Sequence, residues 1–153
     1  VKLIYSKEFE IKSGAYFSPG KDCLNEICRF IDESLKSIEI CVFTITDNRI
    51  TSKIIDALLR GVKIRIISDD TKSEDRGSDL DLLKSKGNSC KFDSTSAHMH
   101  HKFALSDNER LLTGSYNWTR SASSENNENI LITNDSTLVQ SFIKEFDNLW
   151  KRL

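Results

Sequence analysis

An α/β fold with a mixed, mostly parallel β-sheet and helices on both of its faces is what this 153-residue sequence predicts. Two observations carry the prediction. Up to about residue 92, short runs of β-branched and aromatic residues alternate with amphipathic stretches in the order strand, helix, strand, helix, strand, helix, strand. The last third then changes to two strands about a tight turn, a polar segment, a strand and a closing helix, which makes the sheet mixed. No repeat or linker interrupts the pattern, so residues 1–153 read as one domain. A chain of this length buries about two-thirds of its unfolded surface, enough for a core without a disulfide or metal staple.

The elements follow in order. "FEIKSGAYF" alternates and places a strand near Ala15 to Phe17. In "SPGKDCLNEICRFIDESLKS", Ser18 suits an N-cap and Pro19 the first helical position, with Leu24, Ile27, Cys28, Ile31 and Leu35 at helical spacing. "IEICVFTI" is a short apolar run bounded by polar residues, hence a buried strand. "TSKIIDALLRG" has a helical period and a Gly61 stop. "VKIRIISDD" is a strand ending in Asp69 and Asp70, "SDLDLLKSKG" a short helix closed by Gly87, and "SCKF" a short strand. "HKFALS" and "RLLTGSYN" are strands about the turn "DNE", the segment "TRSASSENNE" is polar, and "NILIT" is a strand. The helix from Ser136 to Leu153 aligns Leu138, Phe142, Phe146, Leu149 and Trp150 on one face.

Lysine and arginine number 22 against 23 aspartates and glutamates, a formal net charge of -1. That excludes binding of a polyanion by bulk charge and leaves it to a local patch. Cys23, Cys28, Cys41 and Cys90 are scattered without a C-x-x-C pair and read as reduced and structural, with Cys23 and Cys28 the one pair that could form half of a metal site. No run of 18 apolar residues is present, so the chain as given reads as soluble. It opens on Val1 rather than Met, which leaves room for a leader or anchor before that residue and leaves the compartment open.

The chemistry concentrates in "HMHHKFALSD", which holds all three histidines, His98, His100 and His101. Strand parity puts His98, His100 and Lys102 on one face, and Met99, His101, Phe103 and Leu105 on the other. A two-residue turn at Asp107 and Asn108 would set His100 level with Ser115, and a shift to Asn108 and Glu109 would set it level with Asn117. Gly114 makes room for a close backbone approach beside them. An imidazole, an ammonium, a hydroxyl and an amide on one patch fit phosphoryl transfer, in which histidine attacks or protonates and lysine clamps a phosphate oxygen. One histidine cannot attack phosphorus and protonate the leaving oxygen at the same instant, so a second acid–base group is missing.

"HHKFALSD" fits H-x-K-x4-D and "GSYN" fits G-S/G-x-N, and together they resemble the HKD signature of the phospholipase D superfamily. "MHHKFAL", "LLTGSYNWT", "NNENILIT" and "GVKIRIISDD" are similar to the mitochondrial phospholipase D, or Zucchini, branch, while the length and single motif resemble bacterial Nuc-type endonucleases. The resemblance covers nearly the whole chain. It implies a phospholipase D-like nuclease domain over residues 1–153, working as a homodimer whose active site lies on the two-fold axis, so that each chain supplies one histidine. Carried over, His100 is nucleophile or general acid, Lys102 the phosphate clamp, Ser115 and Asn117 hydrogen-bonding residues around the phosphate, and Glu128 the carboxylate that orients the histidine. Zucchini-type proteins also carry a cysteine and histidine zinc element and a membrane span. Cys23 and Cys28 here lie in a continuous helix with no histidine nearby, and no span is seen, so neither metal, cofactor nor membrane association is expected of this chain.

Simpler roles stand beside these. His98 reads as a groove or solvated loop residue and His101 as a core or interface histidine. Asp69 and Asp70 could hold Mg²⁺, though a solvated loop that caps the next helix accounts for them as well. Trp118 could stack a base but reads as packed under the site loop. A Ser115–His100 hydrolase lacks the G-x-S-x-G elbow. The reading is therefore a metal-independent phosphodiesterase using a covalent phosphohistidine, with single-stranded RNA or DNA as substrate. A cardiolipin-type phospholipid hydrolase and a silent nucleic-acid-binding module are the alternatives.

Overall fold

Alternation along the strands sends apolar residues to both sides of one sheet, and helices cover each side. The structure, a computed structural model, describes residues 10–69 and 78–153. In chain order it contains β1 (Ser13–Phe17), α1 (Asp22–Asp32), β2 (Ser37–Val42), α2 (Asn48–Leu59), β3 (Lys63–Asp69), α3 (Leu80–Ser85), β4 (Ser89–Asp93), β5 (Lys102–Ser106), β6 (Arg110–Gly114), α4 (Arg120–Ser124), β7 (Asn129–Thr133) and α5 (Ser136–Arg152). The seven strands lie in the order β1-β7-β6-β5-β2-β3-β4.

The α/β class and the helices on both faces agree with the sequence expectation, but the sheet is mostly antiparallel. Only β2 with β3 and β3 with β4 pair in parallel, and the other four neighbours are antiparallel. A parallel pair needs a long crossover, and α2 and α3 supply crossovers only in the first half. From Lys102 onward the strands are joined by a tight turn and by the segment carrying the short α4, so the chain meanders back through β6 and β7, and β1 closes the far edge.

One core holds Ile38, Ile40 and Val42 of β2, Ile64 and Ile66 of β3, Ala104, Leu112 and Ile130 against Leu24, Ile27 and Ile31 of α1 and Ile50 and Ile54 of α2. The other holds Cys41, Ile67, Phe103, Leu105 and Leu111 against Val139, Phe146 and Leu149 of α5. β2 and β3 thus feed both cores, with Ile38, Ile40, Val42, Ile64 and Ile66 facing one and Cys41 and Ile67 the other. Asp135 caps α5 by accepting from the N–H groups of Thr137 at 2.9 Å and Leu138 at 3.3 Å. Leu138 itself is exposed, so the apolar stripe of α5 runs through Val139 and Phe142 instead.

Two local expectations are corrected. Ser18 and Pro19 do not open α1, which starts at Asp22. The Ser18 hydroxyl donates to the Asn126 carbonyl at 2.9 Å and accepts from the Glu128 N–H at 3.1 Å, so this residue staples the polar segment before β7 instead. Leu35 lies past the end of that helix and is exposed.

The β5–β6 turn takes neither predicted register. Asp107 and Asn108 both adopt φ of 56°, and the Glu109 N–H donates to the Ser106 carbonyl at 2.9 Å. Glu109 is nevertheless an extra residue in the ladder, since Ser106 pairs with Arg110 and Phe103 with Thr113. Extending that register sets His100 level with Tyr116, between the two predicted partners.

Asp107, the aspartate of the H-x-K-x4-D pattern, has a structural task. Its carboxylate accepts from the backbone N–H groups of Leu35 at 3.0 Å, Lys36 at 2.6 Å and Ser37 at 3.0 Å, which fixes the entry to β2. Burial alone would raise its pKa, but the bonds from Ser37, Leu35 and Lys36, with the Arg110 charge, outweigh burial and hold it below the usual carboxylate value. Asp107→Asn keeps a residue that tolerates positive φ and removes the charge. We expect it to cost roughly 1–2 kcal/mol in urea unfolding at neutral pH, with partial solvation keeping the figure low. Because the folded pKa is depressed, the wild-type advantage is present above about pH 4 and disappears as pH falls through the folded value. An equal gap between the two proteins at neutral pH and below pH 3 would show that the charge is not the cause.

Candidate active site

The end of the sheet formed by the exit of β2, the start of β5, the exit of β6 and the start of β7 gathers the polar residues of the signature. Lys102 is the first residue of β5 and pairs with Val42, the last of β2. His100 stands two positions before it, outside the ladder, with its side chain exposed. Lys102 Nζ lies 3.1 Å from His100 Nδ1 and donates to the His100 carbonyl at 2.9 Å. The Phe43 ring, just past β2, packs 4.9 Å from the His100 ring and 5.4 Å from the His98 ring, centroid to centroid.

Residues 98–101 have no strand ladder to hold them, and side chains do it instead. Asp69, at the end of β3 and 1% exposed, accepts from the Met99 N–H at 3.0 Å and sits 3.2 Å from His98 Nδ1. The Met99 thioether accepts from the Cys41 thiol at 3.4 Å, deep in the second core. Asp69 therefore acts here as a clamp on residues 98–101, and Asp70 lies outside the described residues. His98 is more than a solvated loop residue, since its ring is tied to that carboxylate. His101 faces α5, 3.5 Å from Glu145 and edge-on to Phe103.

Across the hairpin, Ser115 leaves β6 and its N–H donates to the Asn129 carbonyl of β7 at 3.1 Å. Its hydroxyl donates to the Glu128 carboxylate and accepts from the Asn129 N–H at 3.1 Å. Gly114 is required here because a Cβ at that position would overlap the Asn129 carbonyl and the backbone of Ile130. The other Glu128 oxygen accepts from the Asn126 amide at 3.3 Å. Within one chain Glu128 thus holds Ser115, while Lys102 and Phe43 are the neighbours of the His100 ring. Asn117 carries a buried side-chain oxygen with no hydrogen-bond partner among the described residues. Trp118 is 1% exposed and packs in the first core, so it is not free to stack a base.

Electrostatics links the two halves. Burial, then the Lys102 charge and His98, hold the His100 imidazole below its ordinary pKa against the opposing pull of Asp69. Burial likewise lowers the Lys102 ammonium, with the Glu128 carboxylate opposing it. A neutral imidazole beside an ammonium is the arrangement a nucleophile toward an anionic phosphorus centre needs. The charge of Glu128 reaches Lys102, so Ser115–Glu128 and His100–Lys102 belong to one site. Sequence reasoning gave Phe43 and the Cys41–Met99 contact no part. The signals for them were an aromatic residue at a strand exit and a lone methionine inside the histidine cluster.

As for metals, Cys23 is buried in the first core and Cys28 packs against it from the same helix. No group of three histidine, cysteine, aspartate or glutamate residues among the described residues could hold a metal ion. Among the same residues, no helix is long and apolar enough to cross a membrane.

Residues 27–150 match a family described as cardiolipin synthase, PLD-like domain. The chain is similar to the mitochondrial cardiolipin hydrolase of Chlamydomonas reinhardtii, 43% identical over 134 residues, which is 88% of this chain and 60% of that protein. It is 33% identical over 133 residues to the human mitochondrial cardiolipin hydrolase, covering 87% of this chain and 53% of the other. The chain therefore spans little more than half the length of these curated relatives. Among solved structures, Nuc from Salmonella typhimurium, a phospholipase D family member, superimposes with a TM-score of 0.87 at 26% identity over 93% of this chain and 95% of that one.

Proposed function

The chain belongs to the phospholipase D superfamily, and from that premise we propose that it is a metal-independent phosphodiesterase that cleaves single-stranded nucleic acid at a site shared by two copies. The observation that carries this reading is the contact between Lys102 and a His100 ring held toward its neutral form. A neutral imidazole nitrogen of one copy attacks phosphorus, forming a P–N bond as the P–O bond to the leaving group breaks. The protonated His100 of the other copy gives its proton to the departing oxygen. That same imidazole, now neutral, takes a proton from water as the water oxygen attacks phosphorus, and the P–N bond breaks. Lys102 and the Asn117 amide stabilise charge on the non-bridging oxygens, and Glu128 fixes Ser115 beside them. The second copy supplies the acid–base group that one motif lacks.

A specific observation keeps phospholipid hydrolysis as the second reading. Phe17 and Leu131 are exposed on one side of the β1–β7 edge, where Phe17 pairs with Asn129 and Ala15 with Leu131, next to Ser115. These two exposed apolar side chains beside the site support contact with a lipid surface. The relatives named cardiolipin hydrolases point the same way.

A side-by-side assay of single-stranded RNA, single-stranded DNA and cardiolipin vesicles in EDTA separates the readings. Oligonucleotide cleavage that persists in the chelator and elutes with a dimer is the expected result. Turnover confined to the vesicles would replace the nuclease reading with the lipid one. Loss of all turnover in EDTA, or full activity in a monomer by light scattering, would overturn the shared metal-free site.

A further inference from the structure

Three histidines stand in the catalytic segment, and the reaction above uses only His100. The other two are each held by a carboxylate, His98 by Asp69 and His101 by Glu145, and all three line one cavity of about 390 Å³ between this segment and the end of α5. We propose that this cavity is a nucleobase pocket, holding the base attached on one side of the scissile phosphate. The proposal rests on the nuclease reading above.

Position is the first argument. His100 lines the cavity, so a group esterified to the phosphorus that His100 attacks is carried to its mouth. Chemistry is the second. Met99 and Leu149 are buried and apolar, and Met99 is fixed by the Cys41 contact, so they offer a rigid floor for a flat ring. Around that floor stand His101, Glu145 and Arg152, a ring that can stack, an acceptor and a donor fork. An apolar floor with a few converging polar groups is how small planar ligands are held and oriented.

The same lining disfavours an acyl chain. Burying Glu145 and Arg152 under hydrocarbon would strip them of water without providing hydrogen bonds. A base edge supplies both donors and acceptors in their place. The exposed apolar side chains Phe17 and Leu131 do not line this cavity.

The test is abasic scanning of an end-labelled single-stranded oligonucleotide in EDTA, with cut sites and kcat/KM measured for the wild type, Glu145→Gln and Arg152→Ala. We expect removal of the base on one side of a phosphodiester to slow cleavage there at least tenfold, and removal on the other side to matter much less. Glu145→Gln should slow cleavage at intact junctions by a similar factor. The two losses should fail to multiply, because they remove the two halves of one contact. Cleavage indifferent to abasic position, or losses that multiply to a hundredfold, would overturn the pocket and leave the nuclease reading standing. No cut in any oligonucleotide would overturn both.

Discussion

His100→Ala is expected to lower kcat by at least about 10⁴-fold on whatever phosphodiester the wild type turns over, because at the proposed shared site the change removes nucleophile and general acid together. The fold is expected to survive. His100 is exposed, lies outside the β5 ladder, and among the described residues its ring packs beside Phe43 and Lys102, so the unfolding midpoint should move little. Circular dichroism and a urea midpoint on the purified variant check the second half, and retained turnover would show that another group performs the attack.

The wild-type pH profile tests the same residue without mutation. Burial and Lys102 lower the His100 pKa in each copy. The proposed reaction needs one His100 neutral and the other protonated, so on that mechanism the pair is competent only when it carries one proton between its two macroscopic pKa values. Because both rings are shifted in the same direction, the bell for kcat/KM should centre on the acid side of about pH 6.5, the ordinary imidazole value. The acid limb is protonation of the nucleophile and the basic limb is loss of the acid. A single sigmoid rising through neutral pH would mean that only one histidine titrates in the mechanism.

The parts of the site legible in the sequence are those that a fixed period governs. Parity alone put His100 and Lys102 on one side and Met99 with Phe103 on the other, and the structure has Met99 and Phe103 in the second core as that parity requires. Single-residue features were not legible. Glu109 slips the hairpin by one position, and a bulge residue leaves no trace in an alternating pattern. Ser18 looked like a helix cap because a capping hydroxyl and a hydroxyl that bonds a distant loop are the same residue in sequence. Its partners Asn126 and Glu128 are more than a hundred positions away. Asp69 reads as one of two acidic residues ending a strand, and only the fold shows that Met99 and His98 arrive over it. The parallel-sheet expectation failed for a related reason. Strand and helix order was correct for the first half, while the direction of β5 through β7 depends on whether each connection is a short return or a long crossover.

Lys102→Met is expected to lower kcat by about 10²–10³-fold, the usual loss when one preorganised charge facing a developing oxyanion is removed. The methionine keeps the length of the side chain and its packing at the start of β5, which isolates the ammonium. Two consequences distinguish this from a folding defect. Lys102 depresses the His100 pKa, so its removal should move the bell of kcat/KM toward higher pH even as the maximum falls. Lys102→Arg should not restore the rate. The ammonium sits 3.1 Å from His100 Nδ1 and 2.9 Å from the His100 carbonyl, a pocket for a compact donor, and a planar guanidinium fork is both longer and differently directed. Measured from sub-saturating to saturating oligonucleotide across pH 4.5 to 8, an arginine variant with wild-type kcat would show that Lys102 supplies bulk charge to the groove. A methionine variant with an unmoved bell would separate Lys102 from His100 and reduce the ammonium to a binding contact.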